Sequence, residues 1–226
     1  MQYHIDTGLI YEKFKADCEC PLCEIEEKIK NQFVNEFLND AVMEDDSRIA
    51  VKKHGFCEKH FDDLFSGKNK LSLALQILTR CEETEKNIVP VKSAKAAKKL
   101  ADEILREVDA CVICDLIEKS MKKYYITIAQ MYKNEREFFK VLYSSKGFCM
   151  KHYAELLKYS DRAAPLSKEY IKTLADVQRR NFDRVKGDLT EFCNAHDYRN
   201  AYKPLGKSET ALKRIRARLY GKNSIE

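Results

Sequence analysis

Cys-x-x-Cys, an amphipathic stretch and then Gly-Phe-Cys-x-x-His occur twice in this chain, and no other feature restricts its folding so strongly. The first copy is Cys20-Pro21-Leu22-Cys23 followed by Gly55-Phe56-Cys57-Glu58-Lys59-His60. The second is Cys111-Val112-Ile113-Cys114 followed by Gly147-Phe148-Cys149-Met150-Lys151-His152. The offset is 91 residues from Cys20 to Cys111 and 92 from Cys57 to Cys149, so the copies match in order and length with one residue inserted. Six of the nine cysteines lie inside the repeat, and each copy offers three thiols and one imidazole. That is the donor count and type of a closed tetrahedral Zn²⁺ site, with soft donors spaced as two knuckles. The reading that uses each copy once places Cys20, Cys23, Cys57 and His60 around one structural metal. Cys111, Cys114, Cys149 and His152 then surround a second. Thiolate-rich ligation also suits an iron–sulfur cluster, in which His replaces a Cys. Dithiols cycling to disulfides are a third reading, which leaves the paired Cys-x-x-His unexplained.

A chain of 226 residues buries a proper core without help from cysteine, which makes the clustering of Cys and His informative. Seven Gly, four Pro, no Trp and few alternating stretches argue against a sheet protein, and Lys, Glu, Leu, Ala and Ile fill the segments between cysteines. An all-α class follows, built as two related helical units, each closed by its own clasp and packed as one pseudo-symmetric body. The expected divisions are 1–90, 91–198 and a basic tail, 199–226. Residues 1–10 lack a charged start followed by an apolar run, and no stretch approaches the length of a membrane span. The expected compartment is the cytoplasm, without membrane contact. In that reducing setting paired Cys-x-x-Cys elements are metal or redox motifs more often than structural disulfides.

Helical spacing places the motifs. Leu9, Ile10 and Phe14 mark a short helix capped by Asp6 or Thr7. After Pro21, Ile25, Ile29, Phe33 and Phe37, with Val34, Leu38 and Ala41, form the stripe of a long helix with one buried face. Asp45 and Asp46 open a shorter return helix that ends at Gly55. Such an out-and-back pair would carry Cys57 home to Cys20 and Cys23. Residues 69–88 form another helix with Leu71, Leu75, Leu78 and Ile88, and the Ala- and Lys-rich 94–108 links the copies. In the second copy Ile113, Ile117, Met121, Tyr124, Ile128 and Met131 make the stripe, and Phe138, Phe139 and Leu142 line the return. A long helix from Pro165 is expected to break at Gly187.

Motifs for catalysis are missing: there is no Ser-centred elbow, no phosphate-binding Gly loop and no His-Glu-x-x-His. Four protein ligands also leave no open position on a zinc ion, so the balance is against an enzyme. Glu24, Glu26 and Glu27 read as a solvated helix face. Cys193-Asn194-Ala195-His196 repeats the Cys-x-x-His spacing without a Cys-x-x-Cys. It reads as core or surface rather than as a third site with Cys18 and Cys81. His4 and His54 have no partners in spacing.

The net charge of +5 is unevenly placed, because eight Lys or Arg between Arg199 and Lys222 face Glu209 alone, a local +7. Leu212, Ile215 and Leu219 give this tail an apolar edge by which a helix would lie on the body with Lys213, Arg214, Arg216 and Arg218 outward. Such a surface suits an acidic protein or a polyanion as partner, or else serves solubility alone.

The duplicated motifs, with Phe192, Asp197, Tyr198 and Arg199, resemble a bacterial family of this length whose members are known as hypothetical proteins. The resemblance implies no activity. The functional expectation is a metal-binding helical scaffold or interaction protein. The alternatives are a redox or electron-transfer protein and a zinc-stabilised nucleic-acid binder.

Overall fold

A computed structural model describes residue 5 and residues 7–197 and 205–221. Asp6 as a cap, His4, Tyr198, Arg199 and Lys222 lie outside the described residues. The described chain is all-α, with eleven α-helices. They are α1 Thr7–Lys15, α2 Pro21–Leu38, α3 Asp45–His54, α4 Glu58–Ser66, α5 Lys70–Thr84, α6 Ala94–Asp109, α7 Val112–Asn134, α8 Arg136–Ser144, α9 Met150–Lys158, α10 Ser167–Ala195 and α11 Ala211–Tyr220. Short 3₁₀ turns lie between several of them.

The compact units cut across the halves of the repeat. One unit takes Met1–Glu27 with Met121–Glu226, and the other takes Lys28–Ser120, so the boundaries fall inside α2 and α7. The outer unit, made of the two ends of the chain, buries Ile10, Phe14, Phe138 and Phe148 together, with Phe14 packing against Phe138 at 5.5 Å and Phe148 at 6.0 Å between ring centroids. On α10, Tyr170, Leu174, Val177 and Val185 recur on one buried face. This helix runs unbroken through Gly187. A glycine in a helix interior costs only about 1 kcal/mol relative to Ala, and the buried face that runs from Tyr170 to Val185 outweighs that.

The inner unit, 28–120, buries Ile29, Val34, Phe37, Val51, Leu64 and Leu73. α5 packs on α3 with Ser72, Leu73 and Gln76 inward, while Leu71, Leu75 and Leu78 are exposed and Ile88 lies beyond the helix end. The polar choice has a cause at the C-terminus of α2, where the last carbonyls have no partner within the helix. Phe37 O accepts from Gln76 Nε2 at 2.6 Å and Ser72 Oγ at 3.1 Å, and Leu38 O accepts from Asn69 Nδ2 at 2.8 Å. Asn69 also caps α5 by accepting from Ser72 N at 3.2 Å.

Candidate metal centres

Each Gly-Phe-Cys-x-x-His is built the same way. Cys57 is the N-cap of α4 and Cys149 the N-cap of α9, with backbone angles of −70°, 162° and −69°, 162°. The helix start that follows brings His60 and His152 one turn on, beside the sulfur of the same knuckle, with Sγ to Nδ1 distances of 3.3 and 3.2 Å. The Cys-x-x-Cys elements open α2 and α7, where unpaired N–H groups and the helix dipole favour thiolate.

The donors assemble as two quartets, and the grouping is not the one that sequence order suggests. Cys20, Cys23, Cys149 and His152 form the outer-unit quartet, and Cys57, His60, Cys111 and Cys114 form the inner-unit quartet, with the donor atoms of each within 4.8 Å of one another. Every Cys-x-x-Cys is thus completed by the Cys-x-x-His of the other copy. The pairing of Cys20 and Cys23 with Cys57 and His60, and of Cys111 and Cys114 with Cys149 and His152, is overturned. The reason is that the unit boundaries fall inside α2 and α7, so each Cys-x-x-Cys lies in a different compact unit from the Cys-x-x-His of its own copy.

The distances fit one ion per quartet. In the outer quartet Cys23 and Cys149 sulfurs are 3.7 Å apart, and His152 Nδ1 is 3.4 Å from both Cys20 and Cys23. In the inner quartet the Cys57 and Cys114 sulfurs are 3.8 Å apart, and His60 Nδ1 is 3.3 Å from Cys111 and from Cys114. A regular tetrahedron with metal–sulfur bonds of ~2.3 Å and metal–nitrogen bonds of ~2.05 Å has edges of about 3.8 Å between sulfurs and about 3.6 Å between sulfur and nitrogen. Both imidazoles turn Nδ1 to the centre.

Charge explains why such a site wants a cation. With protons alone to share, burial pushes the Cys20 thiol well up, and hydrogen bonds from Cys20 and Cys23 push Cys149 far down. Burial opposes charge on His152, but the sulfurs of Cys149 and Cys23 and the carboxylate of Glu26 outweigh it and raise the imidazole to about 11. In the inner quartet burial, and then repulsion from Cys111, raises Cys114. A divalent ion would relieve this crowding of potential thiolates.

Several neighbours of the quartets are not announced by spacing. Glu26 leaves its expected solvated face. Its Oε2 lies 3.3 Å from His152 Nε2 and its Oε1 is 2.6 Å from Lys151 Nζ. Burial opposes its charge, yet His152 and Lys151 hold its carboxyl down at about 2. A carboxylate behind a ligating imidazole fixes the ring and strengthens it as a donor. Ile117 stands at the matching position, three residues after Cys114, so the copies differ here.

They differ again at Pro21 and Val112. Val112 N donates to Gly55 O at 3.0 Å and ties the two inner knuckles together, a bond that Pro21, lacking an N–H, cannot make. Each knuckle glycine has positive φ, 60° at Gly55 and 85° at Gly147, and each lies under an arginine. A Cβ on Gly55 would sit 3.1 Å from Arg80 Nε, and one on Gly147 would sit 2.9 Å from an Arg218 terminal nitrogen. Arg80 donates to Lys52 O and Lys53 O at 3.0 and 3.2 Å and pairs with Glu107 at 3.2 Å. Arg218, fully buried, donates to Phe148 O at 3.2 Å, to Lys146 O, and to Glu19 at 2.8 Å. From α10, Gln178 grips the Phe148 backbone by its amide, accepting from N at 3.0 Å and donating to O at 2.9 Å.

The basic tail is therefore part of the outer unit. α11 docks through Ala211 and Arg218, while Leu212 and Leu219, expected inward, are exposed; Ile215 is half-buried and Lys213 is exposed as expected. Arg214 pairs with Asp188. Beyond α11, Gly221 crosses the sulfurs, with its Cβ position 3.6 Å from Cys149 Sγ and 3.7 Å from Cys23 Sγ. Among the described residues these two quartets are the groupings of donors that would hold a metal. Cys18 donates to Lys13 O, His196 Nδ1 contacts Phe192 O at 2.8 Å, and Cys81 and Cys193 are exposed.

A family model described as a family of unknown function, DUF6062, matches residues 1–225. The chain belongs to that family. A relative of this DUF6062 member, the "Uncharacterized 23.9 kDa protein in xynA 3'region" of Caldicellulosiruptor sp. (strain Rt8B.4), is 23% identical over 196 residues, which span 84% of this chain and 88% of the relative. No solved structure matches. No helix among the described residues is long and apolar enough to cross a membrane.

Proposed function

We propose that this protein is a cytoplasmic helical scaffold or interaction protein whose eight ligands, Cys20, Cys23, Cys149 and His152 with Cys57, His60, Cys111 and Cys114, hold two structural Zn²⁺ ions. The observation that carries the reading is the edge lengths of the quartets, 3.7 and 3.8 Å between sulfurs and 3.2 to 3.4 Å between sulfur and imidazole. An iron–sulfur cluster interposes several iron and sulfide atoms between its thiolates and needs a wider cage. Three thiolates with one imidazole favour Zn²⁺ over harder ions, and four protein donors leave no vacancy for water or substrate. The role is to fasten sequence-distant segments: 126 residues separate Cys23 from Cys149, and 54 separate His60 from Cys114. Closing such loops is where a cross-link restricts the unfolded chain most. A nucleic-acid or acidic-protein partner is less favoured than the tail's charge suggests, because Arg214 and Arg218 are held by Asp188 and Glu19.

Metal analysis of anaerobically purified protein tests this. The expected result is two zinc ions per chain in a colourless protein. Brown protein with iron and acid-labile sulfide would establish the redox alternative, and a chain without metal would leave the dithiol reading.

A further inference from the structure

The two quartets are alike in geometry and unlike in access. Cys20, Cys23, Cys149 and His152 are all buried, and the backbone at Gly221 passes over two of their sulfurs. In the inner quartet His60 and Cys111 are buried, but Cys57 is half-buried and Cys114 is exposed. The contact between these last two sulfurs, 3.8 Å long, lies at the surface. Two open thiolate donors on one ion can be reached by a small oxidant without unfolding, whereas the sealed quartet requires the C-terminal segment to move.

Resting on the zinc reading above, we infer that the Cys57 and Cys114 pair is an oxidation site for hydroperoxides, and that its oxidation releases the inner-unit metal while the outer-unit metal stays. The exposed Cys114 sulfur attacks one oxygen of hydrogen peroxide. The O–O bond breaks, Cys114 becomes a sulfenic acid, and the departing hydroxide takes a proton from solvent. The Cys57 thiolate then attacks the Cys114 sulfur, forming the S–S bond and expelling the second hydroxide, which is protonated in turn. The two cysteines lose two electrons together, and one peroxide becomes two waters. Cys111 and His60 alone are too few donors to keep a zinc ion, so it leaves for solvent. The chemistry needs no further thiol, and the half-buried Cys57, unlike the buried Cys111, shares the open side of the site with Cys114.

The experiment uses the full-length, zinc-loaded chain carrying Cys81→Ser and Cys193→Ser, which removes exposed thiols that are no part of either quartet. Metal content is fixed first. Hydrogen peroxide is then titrated in, released zinc is followed with a chromogenic chelator, and cysteines are mapped by alkylation and peptide mass spectrometry. The expected result is loss of one of two zinc equivalents together with a Cys57–Cys114 disulfide, with Cys20, Cys23 and Cys149 still reduced. Reductant and added zinc should restore the second equivalent. Simultaneous loss of both ions, earlier oxidation of the outer quartet, or a Cys111–Cys114 disulfide would overturn the inference, while the two zinc ions measured before oxidation would leave the structural-zinc reading standing. A chain that holds no zinc before oxidation would instead remove the reading on which it rests.

Discussion

Arg218→Ala is the sharpest test of the claim that the C-terminal helix closes the outer centre. The guanidinium is fully buried, and it donates to Glu19 at 2.8 Å, to Phe148 O at 3.2 Å and to Lys146 O. Truncation to alanine opens a cavity beside Gly147 and removes the donor to Lys146 O, a loss worth about 3–5 kcal/mol. At about 2–4 °C per kcal/mol for a chain of this size, melting of the outer unit should fall by roughly 6–20 °C. Arg218→Met fills most of the space and separates volume from charge. Glu19 would keep Arg184 at 2.7 Å and Phe148 O would keep Gln178 at 2.9 Å, so the main loss is the donor to Lys146 O. That variant should cost about 1–3 kcal/mol. Calorimetry of the metal-loaded protein gives the stability, and chelator competition gives the metal retained. The alanine variant should surrender the outer ion sooner and hold the inner one as before. Unchanged melting with both ions retained would refute the reasoning, and the tail would then be an appendage.

Cys149→Ser should leave Cys20 and Cys23 open to alkylation while Cys111 and Cys114 stay protected by metal; labelling of Cys111 and Cys114 instead would restore the grouping by sequence order. Glu26→Gln should weaken the outer metal about 10–100-fold in competition with a chelator, because the imidazole of His152 loses its carboxylate support, and should not alter the inner one. Gly147→Ala should cost about 1–3 kcal/mol or more, since its positive φ is strained for a side chain and the new Cβ meets Arg218; melting temperature reports it. A fragment of residues 28–120 contains a whole quartet and should bind one zinc ion, whereas 1–90 contains two halves of different quartets and should bind none at comparable affinity, as read by calorimetric titration.

The repeat makes the clustered donors legible without coordinates, because soft donors at fixed spacing have few other uses, and the stripes from Ile25 and from Ile113 announce the helices that carry them. Positions such as Gly55 and Gly147 also announce a tight backbone, since both adopt positive φ beneath an arginine. What spacing could not decide is which knuckle completes which. That is decided by the tertiary structure, in which the unit boundaries fall inside α2 and α7 and leave each Cys-x-x-Cys in a different unit from the Cys-x-x-His of its own copy. Charge was misleading at the tail for a related reason. Sequence counts Arg214 and Arg218 as part of a +7 surface, but Asp188 and Glu19, 26 and 199 residues away along the chain, take both up. Amphipathic reading of α11 put leucines inward, whereas the fold puts Arg218 inward, where its guanidinium donates to the carbonyls of Lys146 and Phe148 and pairs with Glu19. Local pattern determined the donors and the helices that bear them; which donors meet, and which arginine is taken inward, was decided by contacts between segments far apart in the chain, which no local pattern contains.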